Sequence, residues 1–358
     1  MYPMQITRHL ALILCLAIIT ACGSGSSAPE NSAAASNVFV QDENDGKTWV
    51  GDRLIANYSI ANSASNLVAV NWLRNGLAID GAADKTYVIS ASDVGQSLAV
   101  EVTPIDSMGA SIGATVRSAD VTVDRFVGSR FPFVTFDSSQ TNWIYPIRVY
   151  LPDGYDAGNQ SYPVIFTLDG GEFRFGLFAD ILDEKAKQVI LVAIGTGGAY
   201  GDILRRQEDY VMPGARDYYN FLTLELLPFI DSQYRTEKSN RTLVGHSLGG
   251  LFTGLALLME TPGERNFASF VSQDGSYWDK PEETIALEEA LYNRTQVLPV
   301  KLILSSTLQG NFLVTRDFRN LLQARNYQEL DLSFLVFDVT HREEFNQSFR
   351  RAVDILFP

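Results

Sequence analysis

The chain has 358 residues, of which 46% are hydrophobic and 20% charged, so it can bury a sizeable core and is not a disordered protein. Its 42 acidic and 28 basic side chains give a formal net charge of −14, which argues against a nucleic-acid partner and against electrostatic docking on anionic lipid. With only three histidines, a metal site built from several histidine ligands is nearly excluded, and we expect neither a metal nor an organic cofactor.

Residues 1–21 predict an export signal. Arg8 supplies a positive charge, and the uncharged stretch at 10–21 is too short for a transmembrane helix and typical of a signal peptide. The boundary Ile-Thr-Ala-Cys at 19–22 resembles a bacterial lipobox, which implies that Cys22 is lipidated and becomes the mature N-terminus. An ordinary cleavage site beside an incidental cysteine is the alternative. We therefore expect a lipid anchor in the bacterial cell envelope, outside the cytoplasm, in the periplasm or at the cell surface.

A tether and a small β domain follow the signal. Residues 22–37 are small and polar, as in a flexible linker. From 38 to 125, short alternating runs separated by Asn-Gly and Asp-Gly turns predict an all-β sandwich. The pattern resembles bacterial immunoglobulin-like repeats, which implies that Trp72 packs in the core without a disulfide. We interpret the domain as a spacer, with ligand binding as the alternative.

Residues 126–358 alternate strand-like runs with helix-length amphipathic segments. This alternation predicts an α/β fold with a mostly parallel sheet and helices on both faces. The predicted strands are 147–151, 164–168, 189–194, 242–244, 267–271, 300–304 and 332–337, and the predicted helices are 215–232, 248–259, 316–325 and 344–356.

Two pentapeptides fit the G-x-S-x-G pattern of serine hydrolases, at 109–113 and at 245–249. A nucleophile elbow needs a strand, a sharp turn and then a helix. Only the second pentapeptide has that context, because a strand-like run precedes it and an apolar helix-length run follows it. The sequence thus predicts Ser247 as the nucleophile and Ser111 as a turn residue. A glycine-rich turn that only packs the helix on the sheet is the alternative for Ser247.

A serine hydroxyl needs a base to take its proton during attack. His246 directly precedes the nucleophile, so we expect its side chain to point away from the pocket. His9 lies near the N-terminus, which leaves His341, just beyond the last predicted strand, as the candidate base. Histidine after the final strand is the arrangement of α/β-hydrolases, and a surface histidine is the alternative.

Several blocks of the second domain resemble the putative-esterase family of α/β-hydrolases, which includes siderophore esterases, feruloyl and acetylxylan esterases and the antigen 85 mycolyltransferases. The blocks are VYLPDGY at 149–155, YPVIFTLDG at 162–170, RQEDY at 206–210, ELLPFI at 225–230, GHSLGGLF at 245–252 and SYW at 276–278. The resemblance implies that the backbone N–H groups of Leu248 and Gly171 form an oxyanion hole. Trp278, in the last block, is either a wall of the pocket or part of the core.

The third member of a catalytic triad, a carboxylate, is missing from its usual place in the family. Relatives carry it just after the strand equivalent to 301–304, but the loop at 305–312 has no acid. Asp274, after the preceding strand, and Asp317, inside the next predicted helix, are the two candidates, and we favour Asp274. A Ser–His dyad without an acid is the third possibility.

The leading interpretation is a lipid-anchored serine esterase that hydrolyses a carboxylic ester through an acyl-enzyme on Ser247. Its partner would be a small-molecule or glycan ester, such as a siderophore or an acylated carbohydrate. Two alternatives stay open: a non-catalytic surface binding or adhesion lipoprotein with a degenerate hydrolase fold, and an acyltransferase.

Overall fold

The computed structural model describes residues 33–42, 48, 50, 52–62, 66–196 and 203–358. The predicted signal peptide, the lipobox with Cys22 and most of the predicted tether lie outside these residues. Within the described ranges, no helix combines the length and the hydropathy that crossing a bilayer would need.

The N-terminal part is a two-sheet antiparallel β-sandwich. Its strands are β1 (Ala34–Asp42), β2 (Arg53–Ala61), β3 (Val68–Arg74), β4 (Leu77–Ala78), β5 (Thr86–Val88), β6 (Ser97–Pro104), β7 (Val116–Arg117) and β8 (Val121–Thr122). One sheet has the order β1-β2-β5 and the other the order β4-β3-β6-β7, with β8 also paired to β6. Because β1 begins at Ala34, the sandwich begins inside the segment 22–37 that was predicted to be a tether; its alanines and serine fit an extended strand as well as a linker.

Trp72 lies in the sandwich core, completely buried on β3. Its ring stacks on Tyr87 with 5.5 Å between the ring centroids, and its indole Nε1–H donates a 2.9 Å hydrogen bond to the Asp84 carbonyl. Apolar side chains from both sheets, such as Leu54 and Val100, pack around it. The core thus buries an aromatic ring whose polar atom is satisfied by the backbone.

The second part is built on a nine-stranded sheet. Its strands are β9 (Ser129–Arg130), β10 (Val134–Ser138), β11 (Trp143–Leu151), β12 (Tyr162–Leu168), β13 (Ile190–Ile194), β14 (Thr236–His246), β15 (Ser269–Gln273), β16 (Lys301–Thr307) and β17 (Asp331–Phe337). The order is β10-β11-β13-β12-β14-β15-β16-β17, with β9 on β11. Strands β12 to β17 are parallel to one another, whereas β9 and β10 pair antiparallel with β11, and β11 pairs antiparallel with β13. Each predicted strand overlaps an observed one.

Helices cover both faces of this sheet. They are α1 (Glu172–Glu184), α2 (Ile203–Tyr210), α3 (Ala215–Asn220), α4 (Leu227–Gln233), α5 (Leu248–Met259), α6 (Pro281–Arg294), α7 (Phe312–Arg325) and α8 (His341–Leu356). The predicted helix 215–232 is α3 and α4 joined by a π-helical turn at Phe221–Leu226. Helices α1, α2 and α6 were not predicted; Gly176 lies inside α1 and weakens its helical pattern.

Alternate residues of the central strands supply two cores. Phe166 and Leu168 of β12 pack on the side of α5, whereas Ile165 packs on the side of α1 and α8. This burial on both faces explains the continuous apolar runs of the strands. The carboxyl ends of the parallel strands therefore meet at one edge of the sheet, where α/β folds place their sites.

Candidate active site

Ser247 occupies a strained turn between β14 and α5. Its backbone has φ 61° and ψ −119°, a conformation that side-chain-bearing residues rarely adopt. The end of β15 holds the turn, because the Ser247 N–H donates to the Gln273 carbonyl at 2.9 Å and the Ser247 carbonyl accepts from the Ser276 N–H at 3.0 Å. A Cβ at Gly245 would lie 2.1 Å from the Gly249 carbonyl oxygen, so only glycine fits there. These contacts give Ser247 the strand, sharp turn and helix that a nucleophile elbow requires.

A cleft of about 1240 Å³ opens at Ser247. His341 lines the same cleft, together with aromatic and apolar side chains and several charged ones. The lining includes Phe133, Asp169, Gly171, Phe173, Arg206, His246 and Phe345.

His341 is the first residue of α8 and is held by Asp274. Its Nδ1 lies 2.5 Å from Oδ2 of Asp274. The imidazole is 36% exposed, whereas the Asp274 side chain is fully buried. The structure thus brings His341 and Asp274 together, with the imidazole between the buried carboxylate and the cleft.

Hydrogen bonds keep the buried carboxyl of Asp274 ionised. Burial raises its pKa, but the bonds from His341, from the Ser306 hydroxyl and from the N–H groups of Thr307 and Asn311 outweigh burial, and the net pKa lies below the usual value. The Ser306 bond is 2.5 Å and the Asn311 N–H bond is 3.0 Å, both to Oδ1. An ionised carboxylate can only accept, so Nδ1 of His341 carries the proton of their shared bond.

The acid-free segment at 305–312, which the structure divides between the end of β16, a turn and the start of α7, supplies the donors other than His341. Ser306, Thr307 and Asn311 all belong to it. The loop also approaches Asp274 so closely that a Cβ on Gly310 would lie 2.1 Å from Oδ2. The segment that lacks the expected acid is therefore the segment that binds the acid of the neighbouring strand.

Asp317, the other candidate acid, lies in α7 away from the imidazole. Its side chain is 62% exposed and pairs with Arg316 at 2.8 Å. Asp317 lies in the second turn of α7, beyond the segment that contacts Asp274.

The hydroxyl of Ser247 hydrogen-bonds to Ser276 rather than to His341 among the described residues. The two hydroxyl oxygens are 3.2 Å apart. Ser276 is buried and follows Asp274 by two residues. Catalytic hydrogen bonds are often loose in enzymes without substrate, and rotation about the Cα–Cβ bond of Ser247 redirects its hydroxyl.

His246 does not point away from the pocket as predicted. It lines the cleft, its ring centroid is 4.4 Å from that of His341, and its Nε2–H donates a 2.8 Å hydrogen bond to the His341 carbonyl. Burial, followed by the nearby Arg174, holds the pKa of His246 well below its usual value, so the ring is neutral. The start of α8 approaches the end of β14 closely, a tertiary contact that the motif alone does not reveal.

The two predicted oxyanion donors differ in their surroundings. Leu248 begins α5, so its N–H has no partner within the helix. The Gly171 N–H donates to the Asp169 carbonyl at 2.8 Å. Gly171 lines the cleft beside Ser247, and a turn at Asp169 and Gly170 sets the direction of its N–H.

An ion pair that sequence reasoning missed holds this turn. Arg206 of α2 binds Asp169 with two hydrogen bonds, from Nε to Oδ1 at 2.7 Å and from Nη2 to Oδ2 at 2.9 Å. Asp169 has φ 53°, a left-handed conformation. The paired charges thus fix the segment that carries Gly171. The sequence alone did not show that the segment 206–210 lies against the turn at Asp169 in the fold.

Glu344 is buried one turn along α8 from His341. The pKa of Glu344 is raised to about 8. Burial is the largest cause and the charge of Asp274 adds to it, while the Ser305 hydroxyl acts in the opposite direction. The carboxyl is therefore neutral at pH 7.

No group of three or more metal-ligating side chains occurs among the described residues.

Comparison with known proteins gives a consistent result. The family model described as "Putative esterase" matches residues 138–345, more than half of the chain. An esterase of Mycobacterium tuberculosis is 31% identical over 205 residues, which cover 55% of this chain and 41% of that protein. The ferri-bacillibactin esterase of Bacillus subtilis is 28% identical over 148 residues, which cover 34% of this chain and 50% of that protein. The chain thus spans two fifths to one half of the length of these curated relatives.

Solved structures show the same fold. An IroE-like serine hydrolase from Shewanella oneidensis superposes with a TM-score of 0.53 at 23% identity, covering 64% of this chain and 80% of that one. This likeness identifies the second part of the chain as an α/β-hydrolase fold.

We predict that Gly310→Ala weakens the bond between Asp274 and His341. The added methyl group would lie within 2.1 Å of the carboxylate, so the loop or Asp274 must move. The far-downfield imidazole N–H signal in the proton NMR spectrum should shift upfield or broaden. Gly158→Ala is the matched control, because a Cβ there meets nothing within 4 Å. An unchanged imidazole signal in Gly310→Ala would contradict the prediction.

We also predict that Glu344→Gln stabilises the protein more at pH 8.5 than at pH 5. The folded-state pKa of about 8 lies above the usual value of 4.5, so the folded state retains a proton that the unfolded state releases as the pH rises. Wild-type stability is therefore lost across this range, by on the order of 3 kcal/mol. Urea unfolding at both pH values measures the gain. Asp317→Asn, at an exposed carboxylate, should show no pH-dependent gain, and equal gains at both pH values for Glu344→Gln would refute the prediction.

Proposed function

The chain belongs to the Putative esterase family, and from that premise we propose that it is a serine esterase that hydrolyses a carboxylic ester through an acyl-enzyme on Ser247. One observation carries the proposal: a nucleophile elbow and a histidine bonded at 2.5 Å to a buried, ionised aspartate share one cleft. Asp274 is the proposed acid of the triad, and His341 is the proposed base.

The proton arrangement suits a general base. Since Asp274 accepts from Nδ1–H of His341, the neutral imidazole keeps a bare Nε2 with a lone pair. That nitrogen is the atom that can take a proton from the Ser247 hydroxyl. The carboxylate orients the ring and stabilises the imidazolium that forms when the proton arrives.

The proposed reaction has two halves. Oγ of Ser247 attacks the ester carbonyl carbon and passes its proton to Nε2 of His341, and the carbonyl oxygen takes the negative charge. Collapse of this intermediate breaks the carbon–oxygen bond to the alcohol, which leaves with the proton. Water then attacks the acyl-serine, Nε2 takes and returns a proton in the same way, and the carboxylic acid is released.

The negative oxygen needs donors beside Ser247. The N–H of Leu248 is free of helical bonding and is the first proposed donor. The N–H of Gly171 is the second, and it serves once it swings from the Asp169 carbonyl to the substrate oxygen. Loss of one such donor costs about 3–4 kcal/mol of transition-state stabilisation.

The cleft favours an ester with an apolar or aromatic part. Phe133, Phe173 and Phe345 line the cleft into which Ser247 and His341 face. One relative is named a ferri-bacillibactin esterase, and another is named an endo-1,4-beta-xylanase/feruloyl esterase. We propose an ester of this kind, on a small molecule or a glycan, as the substrate. The comparisons lend no support to a non-catalytic binding protein.

Ser247→Ala should abolish hydrolysis. We expect wild-type protein to hydrolyse a chromogenic aryl ester and to be labelled by a serine-reactive phosphonate, and Ser247→Ala to lose at least about a thousandfold in kcat/KM and all labelling. Ser111→Ala, at the exposed serine of the other G-x-S-x-G pentapeptide, is the matched control and should retain both. Wild-type hydrolysis no faster than that of Ser247→Ala would reject the proposal. A panel of catecholate lactones, feruloyl sugars and short acyl esters then ranks substrates.

We further propose that Cys22 carries the lipid that anchors the protein in the cell envelope. The support is the sequence at 19–22, since these residues lie outside those that the structure describes. Expressed in a bacterium, wild-type protein should partition into the membrane fraction and incorporate labelled palmitate, and Cys22→Ser should do neither. Cys15→Ala should behave as wild type; palmitate incorporation in Cys22→Ser would exclude this anchor.

A further inference from the structure

Asn311 makes three polar contacts beside the site, to Asp274 twice and to Ser276 once. Its backbone N–H donates to Oδ1 of Asp274 at 3.0 Å. Its side-chain Nδ2 donates to the Asp274 carbonyl at 2.7 Å and lies 3.4 Å from the Ser276 hydroxyl oxygen, which in turn contacts Ser247. One residue thus joins the surroundings of the acid to those of the nucleophile.

Trp278 determines which way the Asn311 amide faces. Its indole Nε1–H lies 3.1 Å from Oδ1 of Asn311. The indole can only donate, so the amide oxygen must face Trp278 and the NH₂ group must face Asp274. Trp278 is 58% exposed, so it is not a core residue.

The backbone of Asp274 needs such support. Its φ of 41° lies in the left-handed region, which is less favourable than the usual backbone regions for a residue with a side chain. The Asp274 carbonyl is bound by the Asn311 amide, and its N–H is bound by the Ser305 carbonyl at 2.8 Å. These two bonds fix the backbone from which the carboxylate reaches His341.

We propose that Asn311 is a positioning residue for the acid and that Trp278 orients its amide. The side chain of Asn311 holds the Asp274 backbone so that the carboxylate meets Nδ1 of His341, and it holds Ser276 beside the nucleophile. Neither side chain touches the reacting atoms. This inference rests on the proposed esterase function.

The test compares Asn311→Ala and Asn311→Asp with wild type. The aspartate variant keeps the shape but replaces the NH₂ donor by an oxygen that repels the Asp274 carbonyl. We expect both variants to lower kcat about ten- to a hundredfold, with KM changed less than twofold, because binding is untouched while the imidazole is misaligned. Asn320→Asp, an exposed change of equal charge in α7, the helix that directly follows Asn311, should match wild type. Unchanged kcat in both Asn311 variants, or a loss confined to KM, would overturn the proposal.

Trp278→Phe is the second variant, chosen because an exposed aromatic exchange leaves the fold intact. It removes only the indole donor, and we expect kcat to fall two- to fivefold. An unchanged kcat would remove Trp278 from the proposal.

A readout without turnover separates this inference from the esterase function. The far-downfield imidazole N–H signal reports the bond between His341 and Asp274 whether or not an ester is hydrolysed. Movement of that signal in Asn311→Asp, but not in Asn320→Asp, supports the positioning role. If wild-type protein hydrolyses no ester, the proposed function fails. This inference fails if the signal is the same in Asn311→Asp as in wild type.

Discussion

The site is organised around a negative charge that is completely removed from water. A lone buried carboxylate would take up a proton, and a protonated Asp274 would bind His341 weakly. The charge survives because side-chain and backbone donors converge on it, chiefly from the end of β16 and from Asn311 just beyond it. This requirement constrains its neighbours: Gly310 has no room for a side chain, and the tautomer of His341 follows from the acceptor that it meets.

Local patterns predicted the parts of the site that local geometry determines. The elbow at Ser247 needs a strand, a small-residue turn and a helix in succession, and all three are visible in fifteen or so consecutive residues. The central strands were equally easy to predict from the sequence, since burial on both faces leaves long apolar runs such as β13. The antiparallel pairing of β9 to β11 was not, because strand direction within a sheet is not encoded in periodicity.

The remaining features depend on which distant segments meet. His246 looked like a residue turned from the pocket, but α8 begins close enough for its ring to bind the His341 backbone. The pairing of Asp169 with Arg206 joins residues 37 positions apart. The choice between Asp274 and Asp317 was open in the sequence for the same reason: Asp274 follows a predicted strand and Asp317 lies in a predicted helix, and only the fold places one of them against the imidazole.

Main-chain hydrogen bonds join the elbow to the end of β15, beside the contact between the hydroxyls of Ser247 and Ser276. Ser247 exchanges backbone hydrogen bonds with Gln273 and Ser276, the residues on either side of the turn that carries Asp274. The spacing between the Ser247 backbone and the turn that carries Asp274 is therefore set by peptide groups that every amino acid possesses. Substitution of side chains that line the cleft, such as Phe133 or Phe173, leaves these peptide bonds in place, so the cleft can be reshaped for a different ester while the spacing of the two backbones is kept.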